Sequence, residues 1–277
     1  VYYASGSSLT TIGAAAFAGC TALTNTTIPA SVTSIGAEAF RDCSALIQVI
    51  MEGATPATAG TTMFFNCTSL AEILVPTEAA VTTYKAATNW ITYKDKIYFN
   101  NSSSLAFTSI NDSGATVTEN SSTHTAYMVG TGTATAGNGF KSGVSLTVVH
   151  IPAFYNGKPV TGIGQYAFSG TSIKAVSIPA SVTSLGESVF GYCTSLETVR
   201  IENMIIGILM FDHCTNLKTV STAHRFDSIA EQAFTACTAL KNFLYDGCGE
   251  TEGFHLSPNV QIGFQAFNGC TAITNVH

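Results

Sequence analysis

The chain predicts an α/β-type repeat solenoid, with parallel β-strands on one wall, short turns or 3-10 segments on the other, and two arrays set in tandem. Three observations predict it. A phrase of the form Ile-Gly-x-x-Ala-Phe-x-x-Cys-x-x-Leu recurs along the 277 residues. It reads Ile12-Gly13…Ala16-Phe17…Cys20…Leu23, then Ile35-Gly36…Ala39-Phe40…Cys43…Leu46, and later Leu185-Gly186…Phe190…Cys193…Leu196. A fixed period of this size marks a stack of small units, none able to bury its apolar face without neighbours. After each cysteine the apolar residues fall into a strand rhythm, and the whole pattern lapses once, in the middle of the chain.

The core ladder comes first. Phe17, Phe40, Phe64, Phe168, Phe190, Phe211, Phe234 and Phe267 hold one phase, with steps of 23 and 24 residues in the first group and 22, 21, 23 and 33 in the second. The surplus of about ten residues in the last step falls at 247–253, a glycine-rich, loop-like insertion. Four residues before the phenylalanines stand Gly13, Gly36, Gly60, Gly164, Gly186, Gly207 and Gly263, with Ala230 the one departure. Glycine at this phase predicts either a positive φ or a close backbone approach between coils.

Three residues after the phenylalanines stand Cys20, Cys43, Cys67, Cys193, Cys214, Cys237 and Cys270. They read as a ladder of small buried free thiols whose side chains point in parallel. A disulfide between neighbouring coils is the alternative, since coils lie near strand spacing. The absence of a C-x-x-C pair and of phased histidines argues against zinc. Cys248, outside the phase, is the candidate for an exposed or reactive thiol, with a plain loop cysteine as the alternative.

The strand half follows each cysteine. Leu46, Val49 and Met51, Leu70, Ile73 and Val75, Leu196, Val199 and Ile201, and Leu240, Phe243 and Tyr245 occupy first, fourth and sixth places. The last two of each set have period-two spacing and share one side of a strand. The proline that often follows cannot donate to a ladder and ends it. Strands recurring in one direction pair parallel, and the half around Gly-x-x-Ala-Phe is too short for an α-helix. Each buried phenylalanine or aliphatic contributes about 1.5–3 kcal/mol, so cohesion comes from stacking.

The strand rhythm fits a leucine-rich repeat. The wording Ile-Pro-Ala-Ser-Val-Thr-Ser-Ile-Gly-x-x-x-Phe, from Ile28 to Phe40 and again from Ile178 to Phe190, resembles the BspA-like, Treponema-type leucine-rich repeat family. The resemblance spans eight units and their flanks. It implies a secreted or cell-surface protein of adhesive or binding role, and it supplies no catalytic residues.

Between Val75-Pro76 and Ile151-Pro152 no phased unit occurs. The stretch from Thr77 through Tyr84, Trp90, Tyr93 and Ile97 has helical spacing with an acidic residue near its start. A similar segment closes arrays in the family it resembles, which implies a cap. Residues 100–104 are Ser/Asn-rich and read as a linker; 126–130 and 146–149 read as strands, and Asn156-Gly157 as a turn. The expected organisation is a first array over 1–76, a helical cap over 77–100, a linker and β-rich entry segment over 101–149, and a second array over 150–277. The chain opens on a repeat without a signal-peptide pattern and stops at Val276-His277 within a strand. That predicts a fragment of a longer protein, or ends that pair with other copies.

Composition narrows the function class. Charged residues make up 10% and apolar residues 46%, net charge is −6, and no basic stripe appears, which argues against nucleic acid or an anionic membrane as partner. No apolar run is long enough to span a bilayer. Gly162-Ile163-Gly164-Gln165-Tyr166-Ala167 matches a dinucleotide pattern but coincides with the repeat phase. Asp212-His213-Cys214 resembles a catalytic cluster, yet Cys214 belongs to the ladder and His213 to a turn. A G-x-S-x-G elbow is absent. Sequons at Asn25, Asn66, Asn100, Asn101, Asn111 and Asn120 arise readily in a Ser/Thr-rich chain.

The expected binding surface is the strand side facing away from the core. It comprises Asn25, Thr27, Gln48, Ile50, Glu72 and Leu74 in the first array, then Ala175, Ser177, Thr198, Arg200, Thr219, Ser221, Asn242 and Leu244 in the second. A merely solvated face is the alternative. The reading is a non-enzymatic extracellular module, without cofactor or metal, that recognises a host or microbial protein or glycan. The rival is a structural spacer or self-assembling filament associating end to end.

Overall fold

The computed structural model describes residues 8–119, 121–131, 136–202, 205–223, 228–246, 253–256 and 259–274. Cys248, Asn120 and the closing Val276-His277 lie outside them. The chain divides into two units, Val1–Asn101 and Ser102–His277.

The first unit holds β1 (Thr11–Ile12), β2 (Asn25–Ile28), β3 (Ser34–Ile35), β4 (Gln48–Met51), β5 (Thr58–Ala59), β6 (Glu72–Val75), α1 (Glu78–Ala86) and β7 (Ile97–Phe99). One parallel sheet runs β2-β4-β6-β7 and a second, of two-residue strands, runs β1-β3-β5. The core lies between them, where Ile28, Phe40, Cys43, Leu46, Val49 and Ile73 are fully buried. The second wall is therefore more than turns: the residue pair ahead of each phased glycine is itself a short ladder. The sequence also reads Ile97 into a helical stretch. The structure corrects this. The helix stops at Ala86, a 3-10 segment covers Ile91–Lys96, and Ile97–Phe99 joins the sheet beside β6.

Helix α1 starts where Thr77, in extended conformation, accepts a hydrogen bond from the Ala80 N–H at 3.1 Å, with Glu78 in the first turn and Lys85 in the last. Its side chains and those just after it satisfy backbone groups of the third coil. Tyr84 Oη donates to the Gly53 carbonyl at 2.9 Å, Trp90 Nε1 to Ala57 at 2.8 Å and Asn89 Nδ2 to Ala59 at 2.7 Å. The Phe64 N–H donates to Tyr93 Oη at 3.2 Å, and the Tyr93 ring packs edge-on against Phe64 at 5.3 Å.

The second unit holds β8 (Phe107–Ile110), β9 (Ala126–Val129), β10 (Val148–His150), β11 (Phe154–Tyr155), β12 (Lys158–Ile163), β13 (Ala175–Ile178), β14 (Ser184–Leu185), β15 (Thr198–Ile201), β16 (Ile205–Ile206), β17 (Thr219–Thr222), β18 (Ser228–Ile229), β19 (Asn242–Tyr245) and β20 (Gln261–Ile262). The long parallel sheet runs β10-β13-β15-β17-β19, and the opposite wall carries β16-β18-β20. β11 and β12 form a hairpin across Asn156 and Gly157, whose φ values of 46° and 75° suit the turn that Asn-Gly signals. Strand β12 then pairs with both β9 and β14.

Left-handed residues sit elsewhere than at the phased glycines. Two per coil have positive φ: one two residues before the phenylalanine (Glu38, Ser188, Leu209) and one two after it (Asp42, Tyr192, His213). Outside glycine this conformation costs about 1–2 kcal/mol. It is held because it turns alternate N–H groups toward the next coil. Ser188, Phe190 and Tyr192 donate to the Ile208, Met210 and Asp212 carbonyls at 3.2, 2.9 and 2.7 Å, and Leu209, Phe211 and His213 repeat the pattern one coil on. Three such bonds at about 0.5–1.5 kcal/mol each, in groups that would otherwise be buried unpaired, offset the strain.

Four of the phased glycines serve close approach, while Gly13, Gly164 and Gly207 have room for a methyl group. A Cβ on Gly36, Gly60, Gly186 or Gly263 would stand 2.3, 2.1, 2.2 or 2.5 Å from a backbone nitrogen of the preceding coil. Where Ala230 takes this place, its N–H reaches the Ile206 carbonyl at 3.1 Å, against 2.8 Å for Gly186 to Ile163 and 2.7 Å for Gly60 to Ile35. The backbone bond therefore persists with the methyl in place, as it would at Gly207, where a Cβ meets nothing closer than Leu185 Cβ at 3.4 Å.

The aromatic ladder is continuous within each unit. Ring centroids of Phe17, Phe40 and Phe64 lie 5.1 and 5.4 Å apart, and those of Phe168, Phe190, Phe211, Phe234 and Phe267 lie 5.3, 5.5, 5.2 and 5.3 Å apart. The thiols of the ladder are free, and they are hydrogen-bond donors as well as fillers. Cys43, Cys67, Cys193, Cys214, Cys237 and Cys270 donate Sγ–H to the carbonyls of Phe17, Phe40, Phe168, Phe190, Phe211 and Phe234 at 2.9–3.1 Å. Cys20, in the first described coil, is exposed.

Burial pushes these thiols up from the ordinary 9.0, Cys67 and Cys270 to about 11, and Cys214 well above. A raised folded value means the native state prefers the protonated thiol. That stability is complete below the unfolded value near 9 and is lost as pH climbs through the folded values. The urea midpoint is therefore expected to fall between pH 8 and pH 10.5. Cys214→Ser, which keeps a donor but does not titrate there, should flatten the slope, and an unchanged slope would contradict the linkage.

Candidate functional site

Parallel pairing in register stacks the outward residues of successive strands into rows. In the first unit the rows are Asn25–Gln48–Glu72 and Thr27–Ile50–Leu74–Tyr98. Asn25, Thr27 and Ile50 are half-buried. Gln48, Glu72 and Leu74 depart from the expected exposed face, being buried to 4%, 1% and 1% relative exposure. Gln48 Nε2 donates to Glu72 Oε1 at 2.6 Å, so these two satisfy each other across β4 and β6. Leu74 lies beside Tyr98 because β7 extends the sheet past β6, which the sequence reads as the last strand.

In the second unit the rows are Val148–Ala175–Thr198–Thr219–Asn242 and His150–Ser177–Arg200–Ser221–Leu244. Thr198 is exposed, and Ala175, Ser177, Arg200, Thr219, Ser221, Asn242 and Leu244 are half-buried. The sequence reading omitted Val148 and His150, having placed β10 in an entry segment. A signal was present: Leu146, Val149 and Ile151 keep the first, fourth and sixth spacing, and Phe140 stands six residues before Leu146 as Phe190 does before Leu196, with Gly143 in the place of the cysteine. The Phe140 ring packs edge-on against Phe168 at 5.2 Å. His150 is buried, and its Nδ1 lies 2.7 Å from Ser177 Oγ.

The polar residues of this surface are largely engaged with one another. Arg200 Nη1 and Nη2 donate to both oxygens of Asp246 at 2.9 and 2.7 Å, and Nε donates to Glu202 at 2.7 Å. The guanidinium thus reaches across β17 to the end of β19, and the Asp246 contact holds its pKa further above the ordinary value. Asn242 Nδ2 donates to Thr219 Oγ1 at 3.3 Å, and Asn242 Oδ1 accepts from the Gly253 N–H at 3.0 Å.

One row escaped the sequence reading. Lys174, Glu197, Lys218 and Lys241 precede β13, β15, β17 and β19 at equivalent places, and backbone bonds from Glu197 to Lys174, Lys218 to Glu197 and Lys241 to Lys218 set them in register. Lys218 Nζ meets Glu197 Oε2 at 2.7 Å, and this lysine holds the Glu197 carboxyl below its usual range. Lys174 and Lys241 are exposed. The three lysines gather positive charge along one edge of a sheet in a chain of net charge −6.

The decoys resolve simply. Gly162 and Ile163 end β12 and lead into a turn rather than a helix. His213 sits on its turn with Nδ1 2.7 Å from Asp212 Oδ1, and its ring stacks on exposed Tyr192 at 4.7 Å. Among the described residues no group of three or more His, Cys, Asp or Glu is placed to hold a metal ion. Among them, too, no helix is long and apolar enough to cross a membrane.

A family model described as BspA type leucine rich repeat region matches residues 4–120 and 136–247 in six copies. Among solved structures, a leucine-rich repeat protein from Eubacterium ventriosum is 19% identical, with 96% of this chain and 81% of that one covered at a TM-score of 0.37. A leucine rich cell surface protein from Faecalibacterium prausnitzii is 24% identical, covering 87% and 58% at 0.32, and the leucine rich repeat protein of T. pallidum is 18% identical, covering 96% and 72% at 0.24. No curated protein matches the chain.

Proposed function

The chain belongs to the BspA-type leucine-rich repeat family, and on that premise we propose that it is a non-enzymatic adhesion or binding module of a secreted or cell-surface protein. Its partner is an extracellular protein or glycan, of a host or of another microbe. On this reading residues 77–100 close the first array as a cap, and the strand face of the second array is the recognition surface. One observation carries the proposal: five strands, β10 to β19, lie in register and present rows of hydroxyl and amide side chains bordered by Lys174, Lys218 and Lys241. Solenoids generally recognise partners through such extended sheet faces. The burial of Gln48, Glu72 and Leu74 removes part of the first array's face from consideration.

The immobilised chain is expected to bind saturably to at least one member of a panel of purified matrix proteins and bacterial wall glycans. Thr198→Glu, on the exposed strand face, should abolish that binding. Glu187→Gln, exposed on the opposite wall, should leave it intact. Silence across the panel, with end-to-end association that grows with concentration in sedimentation, would favour the spacer instead.

A further inference from the structure

We propose that the second unit carries a small-molecule site for a neutral saccharide, in the groove where β12 runs between β9 and β14. The groove has a volume of about 430 Å³, within the range of ligand pockets. Its walls come from four places: the turn after β8, the start of β9, strand β12 and the start of β14. The register of β12 against β9 shifts between Val160 and Gly162, leaving Thr161 as the extra residue of a bulge on the wall. Bulges re-aim side chains in this way and are common beside binding sites.

The chemistry of the walls selects the ligand. The hydroxyls of Thr161, Thr183 and Ser184 and the carboxylate of Asp112 line the groove and carry no hydrogen bond to any described residue. The turn that carries Asp112 is held by Asn111, whose Oδ1 accepts from the Ser113 N–H, the Ser113 hydroxyl and the Ala115 N–H at 3.0, 2.7 and 3.0 Å. No Lys, Arg or His lines the groove, so an anion has no counter-charge there. One carboxylate is too few for a divalent cation. The lining is mixed, with Ile110, Ala126, Met128 and Pro159 beside the hydroxyls, and a purely apolar molecule would leave its polar groups unpaired. A sugar meets every term. Vicinal hydroxyls donate to the two oxygens of Asp112, the threonine and serine hydroxyls exchange hydrogen bonds with the others, and Met128 and Pro159 give apolar surface for a C–H face.

The test uses the whole chain with glucose, galactose, mannose and N-acetylglucosamine as probes, read by saturation-transfer NMR and calorimetry. At least one is expected to bind saturably with a millimolar dissociation constant. Thr161→Val, which keeps shape and removes the hydroxyl, and Asp112→Ala should each weaken it about tenfold. Thr183→Trp should abolish it by filling the groove; Asp112 and Thr183 are exposed, so these two variants retain the fold. Thr198→Glu should leave sugar binding unchanged, which separates this site from the strand face. No saturable response to any of the four sugars at about 50 mM, far above a millimolar constant, would overturn the proposal, as would Thr161→Val and Asp112→Ala binding like the parent.

Discussion

Phe190→Ala is expected to lower the unfolding free energy of the second unit by about 3–5 kcal/mol, the range for deleting a buried aromatic. The position is unforgiving on both sides. Its ring lies within 4° of parallel to Phe168 and 8° to Phe211, at 5.3 and 5.5 Å, and is fully buried. Its backbone is shared as well, since its N–H donates to the Met210 carbonyl and its carbonyl accepts the Cys214 thiol at 3.1 Å. Coils above and below are pinned by the same hydrogen bonds, so the cavity cannot collapse without breaking them. In a repeat array each unit is stabilised through its interfaces, and a hole in the middle weakens two of them. Urea titration followed by circular dichroism measures the loss. Phe17→Ala is the internal contrast: Phe17 is half-buried and stacks on Phe40 on one side, so its cost should be clearly smaller. Equal losses at the two positions would mean that stacking does not hold the arrays together.

Gly186→Ala is expected to rival that loss although it adds only a methyl group. The new Cβ would stand 2.2 Å from the Gln165 nitrogen, 2.5 Å from its Cα and 2.7 Å from the Gly164 carbonyl carbon. All three are backbone atoms of a neighbouring coil, so no side chain can swing away. Separating the coils strains the 2.8 Å bond from the Gly186 N–H to the Ile163 carbonyl and every bond in line with it. A cost at or above the upper end of about 1–3 kcal/mol for overpacking follows. The same substitution at Gly13, in the same phase, meets nothing within 4 Å and has no positive φ, so it should be neutral or slightly stabilising. Ala230 marks the tolerated case, a native methyl at this phase whose N–H still reaches the Ile206 carbonyl at 3.1 Å. The two glycines behaving alike would show that the phase reflects chain flexibility rather than contact.

Much of the candidate surface was legible because strand rows follow from a two-residue alternation and parallel register. The rows Thr198–Thr219–Asn242 and Arg200–Ser221–Leu244 align as that rule requires. What the alternation does not carry is neighbourhood. Gln48 and Glu72 are polar, so their pattern reads as exposed, yet they are buried and bonded to each other. Arg200 reads as a free charge until Asp246, 46 residues later, is brought back beside it. The groove around Thr161 was invisible for a similar reason. Its walls come from stretches far apart in the chain, and threonine and serine are too common here to stand out.

The left-handed corners show the limit most sharply. Glycine suggested them, but the positions are held by Glu38, Thr62, Ser188, Leu209, Tyr192 and others with no shared side-chain chemistry. Their conformation is imposed by the hydrogen-bonding demand of the next coil, a demand that exists only once coils are stacked.

By itself the order of residues determined the repeat, its phase, the parallel strands, and the column of phenylalanines and thiols, because burial of a recurring apolar set leaves a periodic trace. Tertiary structure alone decided which polar side chains are buried, which glycines touch backbone, where β7 and β10 join their sheets, and which hydroxyls meet around a groove. Those outcomes depend on contacts between segments 20 or more residues apart, and a contact between two places leaves no periodic mark on either.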